Sequence, residues 1–142
     1  MSKVSTILAR KGNNAVSIQT NTKVFDALKI MADKNIGSLV VLDGDSYAGI
    51  FTERDYSRKV ILEGKHSNEI TVGEIMSVDL PSVHPDDPIE RCMLLMSDKN
   101  IRYLPVFADG NLSGIISISD VVTETILQQK ETIRHLKSYI QG

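Results

Sequence analysis

The chain has 142 residues, of which 42% are hydrophobic and 24% charged, with a formal net charge of −2 and no tryptophan. That length suits one compact domain or two small lobes around an aliphatic core, and the scattered lysines and arginines make no basic field for a polyanion, which argues against nucleic acid as a partner. Cys92 is the only cysteine, so an intramolecular disulfide and a cysteine-based metal site are both ruled out and a reducing compartment is implied.

Residues Met1 to Arg10 lack the apolar stretch of a signal peptide, and no later segment approaches the ~20 apolar residues of a membrane span. The protein is expected to stay soluble in the cytoplasm. Within this stretch Val4, Ile7 and Leu8 give a short helix one apolar side. An extended piece around Val16-Ser17-Ile18 follows. Val24, Ala27, Leu28 and Met31 then recur at i, i+3, i+4 and i+7, which predicts an amphipathic helix with Thr22 as its N-cap. After Asp33-Lys34-Asn35-Ile36 comes the apolar run Leu39 to Leu42, closed by the turn residues Asp43-Gly44-Asp45. A second strand, Tyr47 to Phe51, leads to Thr52, whose hydroxyl opens a further helix.

The same pattern is then written again. Asp-Lys-Asn-Ile returns at 98–101, and the 65-residue shift aligns Ser17 with Ser82, Met31 with Met96, Leu39 with Leu104, Gly49 with Gly114 and Asp55 with Asp120. Such a duplication predicts a pseudo-twofold pair of units. The second copy starts with an extended piece at Pro81-Ser82-Val83 and a helix striped by Ile89, Cys92, Met93 and Met96. Its expected start has Asp87 as N-cap, Pro88 at the first helical position and Glu90 completing a capping-box spacing. The run Leu104 to Phe107, the turn Ala108-Asp109-Gly110-Asn111, the strand Leu112 to Ile116 and the hydroxyl of Ser117 complete a second β-α-β-β-α copy. Past it, Ile126, Ile133, Leu136 and Ile140 line one face of a C-terminal helix. That stripe needs a cover.

The copies end in Gly-Ile-Phe-Thr-Glu-Arg-Asp (49–55) and Gly-Ile-Ile-Ser-Ile-Ser-Asp (114–120). Each resembles the CBS-domain signature, Gly-apolar-apolar-Thr/Ser-x-x-Asp at a strand-to-helix junction, and two in register resemble a Bateman module. The chain is further similar to small bacterial proteins that consist of a CBS pair. The resemblance implies an α/β (α+β) fold with CBS domain 1 at residues 10–65, CBS domain 2 at 75–128 and a C-terminal helical extension at 129–142. It also implies a non-catalytic regulatory module, often a homodimer, that takes AMP, ATP or NAD and reports to an unknown downstream protein.

The residues supply chemistry for such a site. A helix N-terminus offers N–H groups to a phosphate, and Thr52 and Ser117 add hydroxyls there, although both would serve as N-caps without a ligand. Asp55 and Asp120 follow three residues on, expected in exposed clefts and dispensable for the fold, with carboxylates that match a ribose diol. Arg54 can bind phosphate in the first copy; the second has Ser119 there and places Arg102 where the first has Gly37. Ser38 and Tyr103 adjoin those positions. By the family resemblance Asn14, Ala15 and Val16 complete the Asp120 cleft, and Leu80 and Pro81 the Asp55 cleft.

Other residues read as structure. Cys92, Met31, Met93 and Met96 are core fillers, Arg58 and Lys59 are solvated charges, and His66, His84 and His135 have no ligand spacing. No phosphate-binding glycine loop or nucleophile elbow occurs, and neither signature assembles a general base with a nucleophile, which argues against an enzyme. The competing reading is a homodimerisation module whose clefts are vestigial.

Overall fold

The computed structural model describes residues 2–12 and 15–141, Gln141 by its backbone alone. In chain order the elements are α1 (Val4–Lys11), β1 (Ser17–Gln19), α2 (Val24–Lys34), β2 (Ser38–Asp43), β3 (Ser46–Thr52) and α3 (Glu53–Tyr56), which runs into a π-helical turn at Ser57–Ile61. There follow α4 (Val72–Ile75), α5 (Ile89–Lys99), β4 (Tyr103–Ala108), β5 (Asn111–Ser117) and α6 (Ile118–Gln141). The chain divides into a continuous unit, Asn14–Leu80, and a split unit made of Met1–Asn13 with Pro81–Gly142.

Each unit is built around one hairpin. In the continuous unit β2 pairs antiparallel with β3, Leu39 opposite Phe51 and Val40 opposite Ile50, while β1 adds a parallel strand to the other edge of β2. In the split unit β4 pairs with β5 in the matching register, Leu104 opposite Ile116 and Pro105 opposite Ile115, and both hairpins carry an irregularity at the same place, after Val41 and after Val106. The second hairpin turns at Asp109 and Gly110, both with positive φ (52° and 78°), the conformation that a two-residue turn of this hand requires.

The extended piece predicted at Pro81-Ser82-Val83 is reduced to a single parallel bridge between Val83 and Val106. The cause is local. In the continuous unit the Val40 N–H donates to the Val16 carbonyl at 3.0 Å, whereas the counterpart of Val40 is Pro105, which has no N–H to give. Only the rungs around Val83 survive, its N–H to the Pro105 carbonyl and its carbonyl to the Phe107 N–H.

Identical tetrapeptides end the two amphipathic helices. Asn35 and Asn100 both adopt the left-handed conformation (φ 53° and 54°), and the N–H groups of Ile36 and Ile101 reach back to the carbonyls of Met31 and Met96, each at 3.0 Å. This is a Schellman-type stop, with asparagine tolerated where glycine is commonest.

The helix starts differ from expectation. Lys23 and Pro88 stand at the N-caps, and neither Thr22 nor Asp87 caps a helix with its side chain. The first N–H groups are instead taken by backbone carbonyls, Val24 by Ile70, Phe25 by Ser67 and Ile89 by Ser2, so no side-chain oxygen is needed there. Asp87 turns back to accept the His84 N–H at 2.8 Å. Glu90 closes no capping box, and its Oε2 is buried without a hydrogen bond. Working capping boxes occur at Thr52 with Asp55 and at Thr71 with Glu74.

The continuous core gathers Ile18, Val24, Ala27, Met31, Leu39, Val41, Phe51, Val60, Val72 and Ile75. The split core gathers Ile89, Cys92, Met96, Leu104, Val106, Ile116 and Val121, together with Val4, Ile7 and Leu8 from α1. One expectation changes here: Met93 is 38% exposed and fills no core. The apolar side of α1, Val4, Ile7 and Leu8, is consumed inside its own unit. Those three side chains are therefore not available to a subunit interface. α4 plays the corresponding part in the continuous unit: Val72 and Ile75 match Val4 and Ile7, and the Val72 N–H bonds the Thr22 carbonyl as the Val4 N–H bonds that of Asp87.

Candidate functional site

The two signatures fold into the same junction. The last residue of β3 or β5, Thr52 or Ser117, has its own N–H bound by the carboxylate three residues on, Asp55 at 3.0 Å and Asp120 at 2.8 Å. Its hydroxyl oxygen accepts the backbone N–H of that same aspartate, at 3.1 and 3.2 Å. The first helical N–H is then bound by a strand-side carbonyl, Glu53 by Gly37 and Ile118 by Arg102. The hydroxyls and aspartates singled out from the sequence are thus the capping pairs of the two helices. Ser38 faces Thr52 and Tyr103 faces Ser117 across the hairpins.

Around this shared frame the carboxylates differ. Asp55 is buried, 4% exposed, which corrects the expectation of an exposed cleft group. Its Oδ2 also receives the Thr52 hydroxyl at 3.1 Å, while Oδ1 receives the Ser77 hydroxyl at 2.9 Å and the Lys59 ammonium at 3.0 Å. Two oxygens offer about four acceptor sites, so this carboxylate is saturated. Ser77 is held by two backbone bonds to Ile50, and a Cβ on Gly49 would lie 2.6 Å from the Ser77 carbonyl oxygen, which explains the glycine. Lys59 also donates to the Ile75 carbonyl at 3.0 Å. It is part of the junction and not merely a solvated charge.

Asp120 keeps its side chain 20% exposed, and its Oδ2 receives the Lys11 ammonium at 2.6 Å. Lys11 donates as well to the Ile115 carbonyl at 3.0 Å. One turn along α6, Glu124 is buried and accepts hydrogen bonds from the Ser2 hydroxyl and the Arg10 guanidinium. Burial works against its charge, yet those two donors prevail and hold its carboxyl below the ordinary glutamate range. Arg10 and Lys11, the basic last turn of α1, thus clasp two carboxylates on one face of α6.

The other candidates are placed as follows. Arg54 is half-buried and engaged, Ser119 and Arg102 are exposed, and Gly37 and Tyr103 are half-buried. Ala15 and Val16 belong to the unit that holds Asp55, and Pro81 to the unit that holds Asp120, with Leu80 closing the continuous unit. Asn14 lies outside the described residues. Beside each junction is a groove: one of about 270 Å³ at Leu28, Asn35, Gly37 and Glu53, and one of about 550 Å³ at Met93, Arg102, Ile118, Val122 and Ile126. The second is wider and more apolar, since α6 supplies Ile118 and Val122 where the first copy has Glu53 and Ser57.

Sequence reasoning missed Ser77 and Lys11. It also misread Lys59 as a solvated charge, although the spacing of four residues from Asp55 on one helical face could have signalled the pair. Lys11 reaches across 109 positions of sequence, and no local pattern announces it. Among the described residues no cluster of His, Cys, Asp and Glu is arranged for a metal, and no helix is long and apolar enough to cross a membrane. Burial pushes the Cys92 thiol up to about 11, with the Asp87 charge adding to the effect, which disfavours the thiolate that a nucleophile needs.

The model of the CBS domain matches residues 4–61 and 72–126. Over 98% of its length the chain is 38% identical to the mitochondrial CBS domain-containing protein CBSX3 of Arabidopsis thaliana, covering 72% of that protein. It superposes with a TM-score of 0.86 on a proposed signal-transduction protein with CBS domains from Burkholderia ambifaria, at 43% identity and with 90% and 96% of the two chains covered. It also superposes on a hexameric CBS-CP12 protein of bloom-forming cyanobacteria, with a TM-score of 0.73, 33% identity and 86% and 70% covered. With its duplicated junction and these likenesses, the chain belongs to the CBS-domain family and carries two CBS domains in tandem.

Proposed function

We propose that the chain is a regulatory module that binds an adenine nucleotide, AMP, ATP or NAD, at its signature junctions and does not turn it over. The observation that carries this reading is the junction itself. A hydroxyl, a carboxylate and a helix N-terminus recur in both units at matching positions, with Arg54 near one and Arg102 near the other. Carboxylate for ribose with arginine and helix terminus for phosphate suits the sugar and phosphate of a nucleotide, more openly at the partly exposed Asp120 than at the saturated Asp55. Any output passes to a downstream protein or into assembly, in the cytoplasm. A thermal-shift panel of AMP, ADP, ATP, NAD and S-adenosylmethionine, followed by an assay for breakdown of whichever ligand stabilises, tests the reading. Stabilisation by an adenine nucleotide without turnover is expected, and no shift with any of the five removes it.

A second reading, a homodimerisation module with vestigial clefts, is favoured by two features. Asp55 is saturated internally, and Ile126, Ile133, Leu136 and Ile140 stand 46%, 52%, 59% and 81% exposed along α6. Self-association through that stripe is compatible with either reading.

A further inference from the structure

Duplication makes the neighbours of the two aspartates directly comparable. In the continuous unit the Ile50 carbonyl and the Asp55 carboxylate are both met by Ser77, through its N–H at 2.9 Å and its hydroxyl at 2.9 Å. In the split unit their counterparts, the Ile115 carbonyl and the Asp120 carboxylate, are both met by the Lys11 ammonium at 3.0 and 2.6 Å. One flexible cation replaces a backbone-anchored serine.

The two arrangements differ in how readily they let go. Ser77 is pinned by the return bond from the Ile50 N–H to its carbonyl, and Asp55 is out of reach of solvent. Lys11 is the last residue of α1, followed by Gly12 at φ 90°, and its only anchor is a four-carbon stem. Its side chain is 35% exposed and that of Asp120 20%. An ion pair this open to water holds its partners by no more than about fivefold.

We infer that Lys11 is a tethered competitor for the Asp120 carboxylate: it fills the ribose acceptor of the second junction until a nucleotide displaces it, while the first junction, sealed by Ser77 and Lys59, takes none. The inference rests on the nucleotide reading above and deepens it. Displacement also removes one of the two basic groups that hold the last turn of α1 on α6, leaving Arg10 alone at Glu124. Occupancy of the junction therefore loosens the C-terminal end of α1.

Calorimetric titration of the full chain with AMP and with NAD, at one fixed ionic strength, tests this against Lys11→Met and Asp120→Asn. One nucleotide per chain is expected, bound about fivefold more tightly by Lys11→Met and not detectably by Asp120→Asn. Hydrogen exchange at the last-turn amides of α1 is expected to quicken on saturation of the parent and to be unchanged by ligand in Lys11→Met. Two nucleotides per chain, equal or weaker binding by Lys11→Met, or undiminished binding by Asp120→Asn overturns the inference and leaves the nucleotide reading standing. Failure of the parent and Lys11→Met alike to bind either ligand overturns the nucleotide reading, and the role of Lys11 falls with it.

Discussion

Lys59 and Glu124 occupy the same position in the duplicated sequence, four residues past the signature aspartate, and carry opposite charges. Lys59 neutralises Asp55 from its own helix. Glu124 instead places a second negative charge one turn from Asp120, an arrangement that disfavours the helix unless something compensates. The compensation comes from Arg10 and Lys11 on α1. The same fold is therefore balanced locally in one unit and by a distant segment in the other.

The two aspartates should differ in what they do for stability. Asp55→Ala removes a cap and leaves the half-buried Ser77 hydroxyl and the Lys59 ammonium without their shared acceptor, which should lower the unfolding free energy by about 2 kcal/mol. Asp120→Ala loses a cap and a half-open ion pair, and should cost about 1 kcal/mol. Urea unfolding of both variants checks this, and equal losses would contradict the contrast in burial.

Glu124 makes the split unit sensitive to acid. Its carboxyl is held below the ordinary glutamate value in the folded chain, so its contribution is fully present above that ordinary value and disappears as pH falls through the lower, folded value. Glu124→Gln should flatten the loss of stability below the ordinary carboxylate range while lowering stability at neutral pH. Urea midpoints measured from pH 7 down to the acid transition give the comparison, and parallel curves would refute it.

Gly49 is a packing requirement. A methyl group there meets the Ser77 carbonyl oxygen, a backbone atom that is itself paired with Ile50. Gly49→Ala should therefore cost about 2 kcal/mol or more and shift the amide resonance of Ser77. A neutral variant would mean that the segment after α4 moves aside freely.

The exposed stripe of α6 predicts association without a folding role. Residues 129–140 are exposed throughout, so a chain ending at Gln128 should keep its unfolding free energy within about 0.5 kcal/mol. It should nevertheless lose self-association in sedimentation experiments in which the full chain is dimeric or larger. A full chain that sediments as a monomer with and without nucleotide, or a shortened chain that associates equally well, would remove the stripe from the interface.

Much of this architecture was written in local pattern. The stripes of α2 and α5, the turns of the two hairpins and the hydroxyl-to-aspartate junctions are all set by near neighbours in sequence, and a 65-residue echo doubled each signal. What escaped depends on distance. Thr22 and Asp87 had the right chemistry for caps, but carbonyls of Ile70 and Ser2 reached the helix ends first. The four residues of α4 are too few to show a periodicity, and only the Thr71 and Glu74 capping box marks them. At the site, the aspartates were legible while their occupants were not, because Ser77 and Lys11 arrive from 22 and 109 residues away.

The split unit has a consequence for synthesis. The continuous unit has all of its parts by Leu80 and can close while later residues are still being added, as domains commonly do during translation. α1 is made before it but belongs to a core whose remaining strands and helices come after it. Val4, Ile7 and Leu8 must therefore wait uncovered until β4, β5 and the start of α6 have emerged.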